Sequence, residues 1–243
     1  MEWTGSGIVL AVRPHGETSA IVELLTEEQG RHAGLVRGGR SRTTRPLLQP
    51  GNIVRAVWRA RLADHLGNLS IEGEHLRAGE FMDDPLALSG LNAACAIACA
   101  ALPEREAHPE VFAAFHVFLD ALGDPDVWPA LYARWEAGLL SDLGYGVDLR
   151  RCAVTGATEG LTHVSPRSGR AVCATEAEPY KDKLLVLPKF LRDPEAGLED
   201  GDIENGLKLT GFFLQRRVLW PTDRDLPDSR QRLIDRLRDA GRL

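Results

Sequence analysis

Between Gln29 and Ala63 the chain has no aspartate and no glutamate. Lysine is nearly missing throughout, with four among 29 basic residues. Aromatic residues make up 6% of the chain, and there are four cysteines. No apolar run reaches membrane-spanning length. The longest candidate, "AACAIACAAL" (Ala93–Leu102), is too short and too rich in alanine to span. The start, "MEWTGSGIVLAV", lacks the basic opening and long apolar core of a secretory signal. A soluble, cytoplasmic protein is therefore expected, in which disulfides are improbable. Catalytic signatures are missing too: there is no P-loop, no HExxH and no GxSxG. The seven histidines (His15, His32, His65, His75, His108, His116, His163) do not cluster. A non-enzyme is the expectation.

What is present begins with the window that lacks acids. It holds eight arginines: Arg31, Arg37, Arg40, Arg42, Arg45, Arg55, Arg59 and Arg61. The whole chain nevertheless carries a formal net charge of -6. Arginine keeps its charge and forks onto phosphate oxygens. The same bias also suits a GC-rich genome, which favours arginine codons. Screening acts over roughly 8–10 Å at cellular salt, so a local patch can attract an anion despite the global charge.

Residues 1–80 read as five short strands: "GIVLAVR", "SAIVELLT", "RHAGLVRGG", "NIVRAVWRARL" and "NLSIEGEHL". In the fourth, Val54, Ala56, Trp58, Ala60 and Leu62 alternate with Arg55, Arg59 and Arg61. This pattern predicts an apolar face turned to a core and an arginine face turned out, where like charges need an anionic partner. Trp58 falls with the core. The "RGGRSRTTR" loop adds Arg37, Arg40, Arg42 and Arg45, with Ser41, Thr43 and Thr44 as further donors. Five strands with intervening turns suggest an OB-fold barrel. A patch without aromatics should follow the nucleic-acid backbone and read little sequence.

From Pro85 onward the pattern becomes helical. Val111, Phe112, Phe115, Phe118, Leu119 and Leu122 form one stripe, and Leu131, Trp135, Leu139 and Leu143 another. A helix is expected to run up to Trp220 and stop at Pro221. A last one follows Asp228 or Ser229, with Leu233, Ile234 and Leu237 inward. The acidic, glycine-containing stretch Arg192–Gly206 reads as a solvated loop. The expected class is α+β multi-domain, with a barrel domain at 1–80 and a helical body at 81–243. Within the body, 150–176 is a small irregular insert. "CAVT" and "CATE" there each look like half of a CxxC knuckle, with Thr155 and Glu176 at the second cysteine positions. Cys152 and Cys173, with His163 and Glu176 nearby, make an unusual set for structural zinc. The expectation is a module whose packing has replaced the metal, and no cofactor.

Two long stretches carry a resemblance: "GIVLAVRPHGETSAIVELLTEEQGRHAGLVRGGRSR" and "RCAVTGATEGLTHVSPRSGRAVC". Both resemble the RecO family of bacterial DNA repair and recombination mediators, over essentially the whole chain. The resemblance implies an N-terminal OB-fold, a helical domain, and a zinc-ribbon-like insert that binds zinc in some members. The insert here is degenerate. It implies binding to single- and double-stranded DNA, annealing of complementary strands, and help in loading the RecA recombinase together with RecR. Cytoplasmic location, with the nucleoid when DNA-bound, goes with that role. By residue match, DNA binding is carried to Arg31, Arg37, Arg40, Arg42 and Arg45. Arg55, Arg59 and Arg61 rest on strand alternation alone. The resemblance further implies contact with the acidic, apolar C-terminal tail of the single-stranded DNA-binding protein. Such a tail needs an apolar groove beside a cation, and Arg216, Arg217 and Phe212 are the candidates. A different reading makes the chain a non-catalytic scaffold whose basic patch meets an acidic protein.

Overall fold

The computed structural model describes residues 1–243 and divides into two compact units: 1–123 with 227–233, and 124–226 with 234–243. The expected boundary at residue 80 falls inside the first unit.

Five strands open that unit: β1 (Glu2–His15), β2 (Ser19–Thr26), β3 (Gly30–Val36), β4 (Ile53–Arg59) and β5 (Asn68–His75). They close into a barrel in the order β1-β2-β3-β5-β4. β1 makes closure possible because it has two partners. Glu2–Ile8 pair with β4, Gly7–His15 pair with β2, and a bulge lies between Val9 and Ala11. A bulge bends and twists a strand, which is what a small closed barrel requires of it. β3 and β5 run parallel where they meet, at Leu35 and Asn68. Five strands in this order, with one parallel pair, define an OB-type barrel. Its core includes Val9, Val22, Leu24, Val54, Ala56, Trp58 and Leu69.

The alternation in β4 is realised over Val54–Arg59: Val54, Ala56 and Trp58 are buried, and Arg55 and Arg59 are exposed. It does not continue to residue 62 as the pattern predicts. The strand ends at Arg59, Ala60 is half-buried, and Leu62 is exposed. Arg61 therefore stands in a bend and not on the sheet. At the β2–β3 turn, Gly30 has φ +60, and a Cβ there would come 1.7 Å from the carbonyl oxygen of Glu106. Only glycine permits this approach.

Helices complete the first unit: a single turn α1 (Arg77–Glu80), α2 (Pro85–Ala101) and α3 (Pro109–Ala121). The Asp84 side chain caps α2, accepting from the N–H groups of Leu86 and Ala87. Small residues bring α2 close to the barrel, and the Cys95 thiol reaches the carbonyl of Val9 on β1. Cys95 and Cys99, four residues apart on α2, share a helix face. Burial pushes both thiols up, Cys99 to about 12. On α3, Val111, Phe115, Phe118 and Leu119 are buried, and Leu122 just beyond it; Phe112 is half-buried, its ring edge-on to His116 at 4.7 Å.

The second unit holds α4 (Trp128–Asp142), β6 (Leu161–Val164), β7 (Ala171–Cys173), the turn α5 (Ala174–Ala177), β8 (Leu185–Val186) and α6 (Asp202–Phe213). The inward stripe of α4 is Trp128, Tyr132, Trp135, Leu139 and Leu140. Leu131 and Leu143 are only half-buried, because the bulky aromatics set the buried direction. That face also carries Glu136, which accepts from the Thr210 hydroxyl of α6 at 2.5 Å. The acidic loop is shorter than expected, since α6 begins at Asp202. Asp202 and Glu204 in its first turn suit the positive end of the helix dipole. The long helix expected up to Trp220 changes after Phe213 into a π-helical turn, Leu214–Leu219. The last helix, α7 (Asp228–Asp239), buries Leu233 and Leu237.

Candidate nucleic-acid interface

The segment between β3 and β4 carries four of the eight arginines. It leaves the barrel at Arg37, turns at Gly38 (φ +68), and returns at Ile53. Ser41 organises the turn: its hydroxyl bonds the Thr44 hydroxyl at 2.9 Å and accepts the Thr44 N–H at 3.1 Å. Two side chains fix its position. The Arg40 guanidinium donates to the carbonyls of Gly16 and Glu17 at 3.0 and 2.9 Å, tying the loop to the β1–β2 turn. Asn52 is buried. It donates to the carbonyls of Pro46 and Leu47 and accepts the N–H of Ala78.

On this frame Arg37, Arg40, Arg42 and Arg45 are all exposed, and none makes an ion pair. Arg37 donates to the Asn68 side-chain oxygen at 3.2 Å. Four uncompensated guanidinium groups on one ordered loop form a local positive field, which salt attenuates over about 10 Å.

The other four arginines are placed differently. Arg31 is buried: its Nε donates to the Leu102 carbonyl at 2.9 Å, and its guanidinium meets Glu23 at 2.5 Å and Glu104 at 3.6 Å. Arg59 pairs with Glu2 at 2.8 Å. Arg55 is exposed and stands opposite Glu72 on β5 and Ser6 on β1 in the sheet register. The outer face of β4 is therefore not the uniform arginine face that alternation predicts: Glu2 pairs with Arg59, whereas Arg55 faces Glu72 in register without an ion pair. Arg61 is exposed in the bend after β4.

Sequence reasoning missed Asn52 and the role of Arg40 as an anchor. Neither had a local signal, since their partners lie at residues 16–17, 46–47 and 78.

In the second unit, the Arg216 guanidinium lies 5.9 Å from the Phe212 ring centre, and Arg217 lies 4.5 Å from that of Phe213. Arg217 is half-buried and donates to the carbonyls of Tyr145 and Gly146. Burial lowers its pKa. Phe213 is a core residue, whereas Phe212 is half-buried and Arg216 exposed.

Cys152 and Cys173 are brought together. The Cys173 N–H donates to the Cys152 thiol at 3.3 Å, and the Thr155 hydroxyl lies 3.8 Å from the Cys173 sulfur. Burial acts to raise the Cys152 thiol, but hydrogen bonds from Thr155, Cys173 and Val154 outweigh it and lower the pKa. The three strands around them, in the order β7-β6-β8, extend the module to Val186, past the expected end at 176. The Ser165–Gly169 stretch forms the β6–β7 turn, closed by the Gly169 N–H on the Ser165 carbonyl at 2.8 Å. His163 is turned to the Thr162 hydroxyl, and no three Cys, His, Asp or Glu side chains converge. Two sulfurs and a hydroxyl do not fit tetrahedral zinc.

An OB-type barrel carrying an arginine loop, joined to a helical unit with a three-stranded module, is the class of protein that fold and site define. Residues 1–74 match the family model for the N-terminal part of recombination protein O, and 82–225 match that for its C-terminal part. The chain is 55% identical to the DNA repair protein RecO of Phenylobacterium zucineum over 243 residues, covering both chains fully. It is 50% identical to that of Caulobacter sp. (strain K31), again over the full length of both. With the RecO protein of Rhodospirillum centenum it shares 50% identity over 242 residues, 99% of this chain and 96% of the relative. The chain belongs to the RecO family. No helix is long and apolar enough to cross a membrane.

Proposed function

We propose that this protein acts in DNA repair and homologous recombination by holding the phosphates of single- and double-stranded DNA on the loop after β3, and that it anneals complementary strands there. The observation that carries this reading is the set of four exposed arginines, Arg37, Arg40, Arg42 and Arg45, with no ion-pair partner. Arg55 and Arg61 lie on the same domain and extend the contact. Arg31 and Arg59 are engaged by carboxylates and belong to the scaffold of the barrel. Annealing makes and breaks no covalent bond. It needs phosphate charge neutralised so that two strands can approach, and base pairing supplies the free energy. No catalytic group is required. Family membership supports the further steps: loading of RecA onto protein-coated strands with RecR, and contact with the tail of the single-stranded DNA-binding protein at Phe212 and Arg216. A chromosomal substrate implies a cytoplasmic location beside the nucleoid.

The test is binding of a mixed-sequence single strand across a salt series, for the native chain and for Arg37, Arg42 and Arg45 all changed to glutamine. Arg40 is left in place because it anchors the loop. Each phosphate contact contributes about 0.7 to the log–log slope, so the triple variant should flatten it by roughly 2. Binding that is unchanged in the variant would move the DNA site elsewhere. Absence of DNA binding at low salt, with an acidic protein bound instead, would favour a scaffold.

A further inference from the structure

Next to the arginine loop is a cavity of about 680 Å³. Arg40, Arg42 and Arg45 line it together with Pro46, Pro50, Leu76, Met82 and Leu88. Its volume falls in the range of small-molecule sites, about 300–1,000 Å³, and its lining is mostly apolar. Met82 is 71% exposed and Leu76 41% exposed, so apolar surface stands open to water beside three cations. No acidic residue lines the cavity. Of the carboxylates close by in sequence, Glu80 is bonded to His75 at 2.5 Å and Asp84 caps α2, while Asp83 is exposed. The polar lining includes two exposed amides. Gln49 donates to the Arg45 carbonyl and Asn92 to the Leu88 carbonyl, which leaves each amide with its oxygen and one N–H unengaged.

We infer that this cavity takes an unstacked nucleobase of single-stranded DNA whose phosphate is held by Arg40, Arg42 and Arg45. The inference rests on the phosphate reading above and adds a strand preference to it. Phosphate contact alone treats single and double strands alike apart from charge density. A base in a pocket does not, because a duplex must unpair and unstack a nucleotide before the base can enter. The combination of lining groups matches a nucleotide part by part: cations for the phosphate, an apolar wall for the base faces, and amides for the base edge. Side-chain amides offer both a donor and an acceptor, as base edges do. An acidic peptide would use the same cations and apolar wall, and its backbone N–H groups would serve the amide oxygens, so competition by such a peptide tests it directly.

The experiment compares three probes on the full chain: a mixed-sequence single strand, the same strand with its central bases removed, and the matching duplex. In the native protein the base-depleted strand should bind more weakly than the normal one, by roughly fivefold or more. Changing Met82→Ser and Leu76→Ser, both at exposed positions, should erase that difference and leave duplex binding unchanged. Duplex binding also reports that the variant is folded. Equal binding of normal and base-depleted strands by the native protein would overturn the proposal even if the variant could not be made. In that case, a salt slope still flattened by the arginine changes would leave the phosphate reading standing. Competition by a short acidic, apolar peptide, combined with equal binding of the two strands, would assign the cavity to a peptide and overturn the proposal. Absence of all DNA binding by the native chain would remove both readings together.

Discussion

The guanidinium of Arg31 meets the carboxylate of Glu23 at 2.5 Å, and the two side chains are 10% and 12% exposed. The other Glu23 oxygen accepts from Arg13 at 3.0 Å, and Arg31 also donates to the Leu102 carbonyl. An arginine that sits in sequence among phosphate-binding candidates is thus a bolt between β3, β2 and the segment after α2.

That placement predicts what Arg31→Ala does. Truncating one partner of a buried pair leaves the other charge uncompensated and costs about 3–5 kcal/mol. Here Arg13 still faces Glu23, so the lower end of that range is expected. The urea midpoint should fall clearly, and the salt slope of DNA binding by the folded fraction should stay as in the native chain. A variant that unfolds like the native protein but loses about 0.7 from the slope would return Arg31 to the phosphate site.

Acid should destabilise the protein through its histidines. Burial is the main cause lowering His32, His116 and His163 from the ordinary value of 6.5, and the nearby charges of Arg105, Arg77 and Lys181 respectively add to it. Between the depressed folded values and 6.5 the unfolded chain binds more protons than the folded one. Stability therefore rises with pH through that window, is fully present above about 6.5, and is lost as pH falls below it. Urea midpoints at about pH 7.5 and about pH 5.5 check the sign. His116→Gln should flatten part of the dependence. A midpoint that rises on acidification would contradict the burial argument.

The Cys152–Cys173 cluster makes a prediction about metal. With two sulfurs and the Thr155 hydroxyl in place of four thiolates, prolonged exposure to a chelator should leave the melting temperature unchanged. Changing Thr155→Cys and Glu176→Cys together should create two CxxC pairs and make the melting temperature zinc-dependent. Metal analysis of the purified chain and of the double variant checks both halves. One zinc per native chain would show that other donors complete the site.

The barrel was legible because its signals are local. Alternation in Val54–Arg59 and the turn glycines after β1 and β3 follow from strand geometry, which repeats every two residues. Trp58 belonged to the core on that ground, and it is there. The α4 stripe was legible in part: Trp135 and Leu139 are buried as the period predicts, whereas Leu131 and Leu143, which fit that period as well as Trp128 and Tyr132 do, are only half-buried. Period alone does not say which apolar residues the core selects. The π-helical turn at Leu214–Leu219 had no sequence signal at all.

By itself the sequence determined the strand count, the helical body, the positive window and the C-x-x-T and C-x-x-E spacings at Cys152 and Cys173. Each is a property of residues close together in the chain. Only the tertiary structure decided which arginines are free. Arg31, Arg37, Arg40 and Arg59 look alike as letters, yet Glu23 buries the first, Asn68 and the Gly16–Glu17 carbonyls orient the next two, and Glu2 neutralises the last. The partners lie from 8 to 57 residues away. A charge acts through its distance to other charges in space, and folding alone sets that distance.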